Sequence, residues 1–216
     1  MHPAKFLPVL ALLLVTAFTA RAEDNDKAKE KSNADLFNTL RANALGDWKP
    51  EDGFTSLFNG KDLTGWHYKD EPDLAGKTEA TDGRYTAKDG VLIVNPRDDA
   101  KGPHLRQFWT LKVFPKDFVL KLEFRAAVNA DSGIFLRGPQ LQCRDYLVAG
   151  PYKELKAYKP QEWNVIEVTV KDGVATCTCN GEVLEAALKL PATGPIGLEA
   201  DRGTMEYRRI QIKELP

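Results

Sequence analysis

Hydrophobic and polar residues alternate along much of the chain after Gly53, which is the pattern of half-buried β-strands. The clearest run covers residues 118–126 and reads FVLKLEFRA, with an apolar side chain at every second position. After Gly53, no run of helical length repeats its apolar residues every 3.6 positions. The pattern therefore predicts a chain built almost wholly from strands.

Three dipeptides mark tight turns between such strands: Asp89-Gly90, Asp172-Gly173 and Asn180-Gly181. These residue types accept the positive φ angles that two-residue hairpin turns require. Many short strands joined by turns, without an internal repeat, are typical of two packed sheets. We therefore predict an all-β domain over residues 53–216, folded as an antiparallel two-sheet sandwich of the jelly-roll type.

The first 52 residues differ in character from the rest. Residues 1–22 contain Lys5, an apolar run over residues 6–18 and the ending Ala20-Arg21-Ala22. This arrangement predicts a signal peptide, because the apolar run is shorter than the roughly 20 residues of a membrane-spanning helix. Residues 23–52 are rich in charge and predict a solvated linker with one short helix. We expect a secreted, periplasmic or extracellular protein without a transmembrane segment.

The composition excludes several classes of binding and catalytic site. The 30 Lys and Arg are offset by 31 Asp and Glu, so no basic surface for nucleic acid is expected. Only three His and three Cys are present, and no His-Glu-x-x-His, Gly-x-Ser-x-Gly, Walker or Gly-x-Gly-x-x-Gly motif occurs. We therefore predict no cofactor and no metal ligands, and leave a divalent metal open.

The three cysteines leave two alternatives. Cys177 and Cys179 lie two apart in one predicted strand, where both thiols point to one face and are poorly placed to bond each other. In an exported protein, Cys143 is able to pair with one of them across strands. The other alternative is three buried thiols that act as small hydrophobic residues.

Several short sequence motifs occur one after another through the predicted domain. Residues 53–66 read GFTSLFNGKDLTGW, and residues 131–138 read DSGIFLRG. The others are DGVL (89–92), DFVLKLEFR (117–125), EWN (162–164), GPIGLE (194–199) and EYRRI (206–210). In this order they resemble the 3-keto-disaccharide hydrolase domain family over residues 53–215. That family is similar in fold to the concanavalin-like lectins and glucanases, which agrees with the sandwich predicted from alternation.

The resemblance implies a carbohydrate-active protein that acts on oxidised, 3-keto glycosides. The residues that match the family's usual types are Trp66, Arg137, Gln142, Asp145, Trp163, Glu206 and Arg208. Gln140 stands where many members have Glu, and Asp201 stands where many have His or Glu. The resemblance also brings Asp145 into the expected substrate-binding set.

Residues 139–145 place two amides on one strand face. Alternation directs Gln140, Gln142 and Arg144 to one side and Leu141 and Cys143 to the other. Amide and guanidinium groups suit sugar hydroxyls, which need donors and acceptors at fixed positions. With Arg137 at the end of the preceding strand, this is the expected sugar-binding face; the alternative is a solvated face without a ligand.

Glu199 and Asp201 lie two apart on another predicted strand, so their carboxylates project from one face. Two close carboxylates separate in pKa, which suits acid–base catalysis. We therefore take this pair as the candidate catalytic groups. The alternative is an ion pair with Arg202, Arg208 or Arg209.

Aromatic and imidazole side chains complete the candidate site. Trp109 is expected to line the cleft and stack on sugar, whereas Trp66 and Trp163 are expected in the core. His104 lies in a loop after Gly102-Pro103 and is the candidate histidine base.

Three function classes remain open from the sequence. The first is an exported hydrolase or lyase that cleaves 3-keto glycosides by removing the proton on C2, with an oligosaccharide or glycoside as its partner. The second is a non-catalytic carbohydrate-binding module on the same fold. The third is a structural envelope protein.

Overall fold

The computed structural model describes residues 48–71, 73–96, 106–148 and 150–216. The predicted signal peptide, residues 23–47 of the predicted linker and His104 lie outside the described residues. Within the described ranges the chain forms strands, turns and loops and no helix. None of these residues therefore forms a helix long and apolar enough to cross a membrane.

Thirteen strands are present in the described residues, and they form two antiparallel sheets. The eight-stranded sheet contains β1 (Thr55–Ser56), β3 (Tyr85–Lys88), β4 (Val91–Val94), β6 (Phe118–Ala126), β9 (Asn164–Lys171), β10 (Val174–Cys179), β11 (Glu182–Lys189) and β13 (Met205–Glu214). The five-stranded sheet contains β2 (Trp66–His67), β5 (Arg106–Val113), β7 (Asp131–Leu136), β8 (Gln140–Arg144) and β12 (Pro195–Ala200).

The strand order differs from the sequence order in both sheets. The larger sheet runs β11-β10-β9-β6-β13-β4-β3, with β1 paired to β13, and the smaller one runs β2-β5-β12-β7-β8. β13, the last strand of the chain, therefore lies between β6 and β4, and β12 lies between β5 and β7. Such non-sequential pairing is the mark of a jelly-roll sandwich, so the predicted fold class is confirmed.

The core lies between the two sheets and follows the predicted alternation. In β6 every second residue from Phe118 to Ala126 is buried, and the intervening residues are only partly covered. Trp66 is fully buried, as expected, and its indole N–H donates to the carbonyl of Leu57 at 2.6 Å. The expectation for Trp163 is wrong, because it is partly exposed, with the guanidinium of Arg208 3.9 Å from its ring centroid.

All three predicted hairpin turns are confirmed. Asp89-Gly90 joins β3 to β4, Asp172-Gly173 joins β9 to β10, and Asn180-Gly181 joins β10 to β11. In each pair both residues have positive φ, from 50° to 85°, as a two-residue hairpin turn requires.

The cysteines follow the second of the two alternatives. Cys143, Cys177 and Cys179 are all free and buried. Burial raises the pKa of the Cys177 and Cys179 thiols to about 12 and that of Cys143 further still. These thiols are therefore packing residues without nucleophilic character at neutral pH.

Candidate functional site

The outer face of the five-stranded sheet carries most of the predicted site residues. The register places Trp109 opposite Gly197, Gly197 opposite Phe135 and Phe135 opposite Gln140. Partners across an antiparallel pair point to the same side, so these residues form one row across four strands. Glu199 and Gln142 lie two positions further along their strands, on the same side.

Gly197 leaves room for the indole of Trp109 to lie flat on the sheet. A Cβ atom at residue 197 would lie 2.7 Å from Cε3 of Trp109, closer than real Cβ contacts come. The ring also packs against Phe135, with 5.1 Å between ring centroids. On the outer face, the Nζ of Lys69 lies 4.4 Å from the ring centroid, and Trp109 is only 4% exposed. The structure thus places Trp109 on the predicted face with its ring covered.

Gly133 likewise leaves room for the side chain of Gln140. A Cβ atom at residue 133 would lie 2.0 Å from Nε2 of Gln140, so the amide chain crosses the space that glycine leaves empty. Across that gap, Gln140 Nε2 donates to Oε2 of Glu199 at 2.6 Å. One predicted binding residue and one predicted catalytic residue are therefore in direct contact.

Glu199 is 8% exposed, and its surroundings disfavour the ionised form. Burial is the main cause that raises the pKa of its carboxyl, and the negative charges of Asp201 and Asp131 raise it further. The hydrogen bond from Gln140 acts in the opposite direction and lowers the pKa. Asp201 directly follows β12, and its charge acts on Glu199, so the predicted pair lies within electrostatic range.

Asp131 adds a third carboxylate, which the sequence reasoning did not select. Its Oδ2 lies 3.3 Å from Nη1 of Arg144 and 3.6 Å from Nη2 of Arg202. Its Oδ1 is buried without a hydrogen-bond partner, and so is Oε1 of Gln142 on the neighbouring strand. Within the described residues, the face therefore presents two buried acceptor oxygens that no protein group satisfies, a costly arrangement unless a ligand or water donates to them.

The strand that carries Glu199 is tied to the opposite sheet from below. The Ser132 hydroxyl donates to the carbonyl of Glu199 at 2.6 Å and lies 2.8 Å from the Tyr207 hydroxyl. All of these contacts are buried, and Tyr207 belongs to β13 of the larger sheet. Buried hydrogen bonds of this kind restrict how the backbone at Glu199 can move.

Arg137 does not join the amides on the outer face. It adopts φ of 57°, and its guanidinium donates to the carbonyls of Pro191, at 3.1 Å, and Lys116. The group lies 5.2 Å from the ring centroid of Phe118, and the residue is 5% exposed. Arg137 therefore closes the end of the sandwich in this structure.

Asp145 is also held inside the fold. It is buried and accepts hydrogen bonds from the backbone N–H of Asn129 at 3.1 Å and from the Tyr158 hydroxyl at 3.2 Å. Both partners lie in loops, so Asp145 orders those loops beside the outer face. Its expected contact with a ligand stays a prediction.

Two further side chains lie beside the predicted set. His67 stands opposite Trp109 in the register and is partly exposed, and Lys69 covers the Trp109 ring. Alternation in the segment Trp66-His67-Tyr68-Lys69 indicates the side on which each residue lies, since Trp66 and Tyr68 are buried and the other two point outward. A two-residue strand is too short for that signal to be read without knowing its partner strand.

Two cavities of the described chain lie away from this face. The described residues contain no group of three or more His, Cys, Asp or Glu placed to hold a metal ion. A cavity of about 540 Å³ lies between β1 and the ends of β5 and β13, and one of about 280 Å³ lies beside Arg125. Neither is lined by a predicted site residue.

The sequence matches a known family along most of the described domain. Residues 53–213 match the 3-keto-alpha-glucoside-1,2-lyase-like domain. No curated protein matches the chain significantly.

Two crystal structures from Parabacteroides distasonis ATCC 8503 resemble the domain. One, a putative glycosyl hydrolase, has 21% sequence identity and a TM-score of 0.60, over 76% of this chain and 95% of that chain. The other, also a putative glycosyl hydrolase, has 20% identity and a TM-score of 0.55, over 75% of this chain and 99% of that chain. At identities this low the similarity concerns the fold.

Proposed function

Because the chain belongs to the 3-keto-alpha-glucoside-1,2-lyase-like domain family, we propose that it cleaves 3-keto glycosides by elimination on the outer face of the five-stranded sheet. The observation that carries this proposal is the carboxyl of Glu199, buried at the centre of that face and oriented by Gln140 at 2.6 Å. A positioned carboxylate of raised pKa is a suitable general base near neutral pH.

The chemistry follows from the ketone at C3 of the sugar. A base removes the proton on C2, and the electron pair of that C–H bond forms a C2=C3 double bond, with the charge on the C3 oxygen. When the C3 carbonyl re-forms, the pair moves to make C1=C2 and breaks the C1–O bond, and the leaving alkoxide takes up a proton. The products are an alcohol and a 3-keto sugar with a C1=C2 double bond, to which water can then add.

Glu199 is the base in this scheme. Its Oε2 is held by Gln140, and burial, together with the charges of Asp201 and Asp131, makes the carboxylate more basic than an isolated one. The proton taken from C2 is available to the leaving oxygen, so Glu199 closes the cycle without a second acid. Asp201 acts through its charge on Glu199.

Two buried acceptor oxygens support binding of a sugar on this face. Oδ1 of Asp131 and Oε1 of Gln142 are buried without a protein donor in the described residues. Sugar hydroxyls are donors of the kind that these oxygens lack. In the proposed complex, sugar hydroxyls take the place of water at these oxygens.

Turnover in deuterium oxide tests the proposal. The protein is incubated with a 3-keto glucoside and with the parent glucoside, and products are followed by NMR. Elimination and hydration place solvent deuterium on C2, whereas direct displacement at C1 leaves the C2 proton in place. We expect turnover of the 3-keto substrate only, with deuterium on C2.

Glu199→Gln is the decisive variant, and Glu167→Gln on the outer side of the larger sheet is its matched control. Glu199→Gln should lower kcat by at least about 100-fold and leave binding of the glycoside, while Glu167→Gln should match the parent. Binding without turnover by the parent protein would instead identify a carbohydrate-binding module. A folded Glu199→Gln protein with parental turnover would refute the assignment.

We also propose that the protein acts outside the cytoplasm, on the basis of residues 1–22. Mass spectrometry of the exported protein should find a chain that begins at Glu23. A mature chain that retains residues 1–22 would contradict this location.

A further inference from the structure

Lys69 occupies the position from which a cation reaches a ligand on the candidate face. It follows His67 by two residues and directs its ammonium over the indole of Trp109, 4.4 Å from the ring centroid. The residue is exposed, and within the described residues its ammonium makes no ion pair with a carboxylate. Among the described residues, the ammonium therefore has the cation–π contact with Trp109 as its interaction.

We propose that Lys69 is a catalytic residue that stabilises the oxyanion formed at C3 of a 3-keto glycoside, an inference that rests on the proposed function. Deprotonation at C2 moves negative charge onto the C3 oxygen. A cation placed at that oxygen stabilises the transition state more than the uncharged ketone, and such a difference is what accelerates a reaction.

The distance between Trp109 and Glu199 on the sheet suits a base at Glu199 and a cation at Lys69. Trp109 lies over Gly197, and Glu199 lies two residues further along β12, roughly 7 Å away at the usual rise of a strand. A single sugar ring bridges such a distance. In the proposed complex the ring is oriented with the C2 proton toward Glu199 and the C3 oxygen toward Lys69.

The other cations near the face are already engaged. Arg144 and Arg202 both contact the carboxylate of Asp131, and Arg106 lies 2.5 Å from Oε1 of Glu71. Moving any of them to a ligand oxygen would break an ion pair. Within the described part of the chain, Lys69 has a solvent-exposed cation–π contact to give up, which is worth roughly 0.5–1 kcal/mol.

Lys69 also lies beside the aromatic surface that a sugar ring would use. The indole of Trp109 is 4% exposed, and the ammonium is one of the groups that lie over it. A movement of this flexible side chain toward a ligand oxygen would therefore take the positive charge away from the ring and bring it to the ligand.

The experiment compares Lys69→Met and Lys69→Arg with Lys77→Met, a matched control at another exposed lysine of the same loop. For each variant, kcat and KM are measured on a chromogenic 3-keto glucoside, together with the rate of deuterium exchange at C2. Thermal unfolding is recorded to establish that each variant is folded.

Lys69→Met should lower kcat about 100-fold, as removal of one oxyanion donor does, with KM changed by less than about threefold. Exchange at C2 should fall in parallel, because the enolate is formed in the same step. Lys69→Arg should recover at least about tenfold of that loss because it retains the positive charge, and Lys77→Met should match the parent.

Two failures are distinguishable. If the parent protein turns over the substrate and Lys69→Met leaves kcat unchanged, or changes KM alone, the inference about Lys69 is refuted and the proposed function stands. If the parent protein neither exchanges C2 nor cleaves the 3-keto glycoside, the proposed function is refuted, and the role of Lys69 with it.

Discussion

Gly133→Ala should destabilise the parent protein but stabilise a protein that already carries Gln140→Ala. In the parent protein a Cβ at residue 133 falls 2.0 Å from Nε2 of Gln140 and 2.6 Å from its Cδ. The amide chain is exposed and flexible, so it would swing away and leave Glu199 without its donor. In a Gln140→Ala background the new methyl group meets none of these atoms.

The magnitudes follow from two opposing contributions. A hydrogen bond to a charged group contributes about 1.5–3 kcal/mol to stability, and the exposure of Gln140 favours the lower end of that range. Alanine is better than glycine inside a strand by roughly 0.5–1 kcal/mol. Gly133→Ala alone should therefore destabilise the protein by roughly 0.5–1 kcal/mol, whereas in the Gln140→Ala background it should stabilise by a similar amount.

Urea unfolding of the four proteins in this cycle measures the coupling. The expected coupling energy is about 1.5 kcal/mol, well above the few tenths expected for independent sites. Gly133→Ala and Gln140→Ala should also move the acidic limb of the pH–rate profile upward, because each removes a hydrogen bond that lowers the pKa of Glu199. Additive free energies of unfolding would refute the contact between Gly133, Gln140 and Glu199.

Four further outcomes are expected from single changes or reagents. Gly197→Ala should cost roughly 1–3 kcal/mol through collision with the rigid indole of Trp109, with part of the loss recovered by Trp109→Ala in an unfolding cycle. Arg137→Ala should lower stability by about 2 kcal/mol without changing glycoside affinity in calorimetry, because its guanidinium holds backbone carbonyls. Glu199→Gln should stabilise the protein at pH 7, because burial and the nearby Asp charges together raise the carboxyl's pKa and the substitution removes the cost of ionising it. The gain should grow as pH rises above the ordinary pKa of glutamate and vanish below it, as thermal melts across pH would record. A thiol reagent should label none of the cysteines in the native protein and all of them in urea: Cys143, Cys177 and Cys179.

Alternation and turn chemistry predicted the sandwich because they are local properties of the chain. The strand at 118–126 and the turns at 89–90, 172–173 and 180–181 all lie where the sequence placed them. The order of the strands in each sheet could not be predicted from these local properties. β13 pairs with β6 and β4 across long sequence separations, and such partners depend on how the whole core packs.

The candidate site was predictable only where alternation settles the side of a strand. Gln140, Gln142 and Glu199 lie on one face because their strands are regular. Arg137 does not lie on that face, because its positive φ turns the chain at the strand end. Alternation alone does not predict such a turn. Asp131 and Lys69 became visible only when register brought Arg144 and Trp109 beside them. Roles of all these residues in catalysis stay predictions until the variants are measured.

The link from the Glu199 carbonyl through Ser132 to Tyr207 has a consequence for how this domain can diverge. Tyr207 belongs to the sheet that bears none of the candidate residues, yet its hydroxyl limits where the backbone under Glu199 can settle. Selection on activity therefore reaches the inner side of the opposite sheet, where a change from Tyr207 to Phe would keep the packing and lose the link. Two lineages with identical exposed faces can thus differ in rate through a single atom in the core.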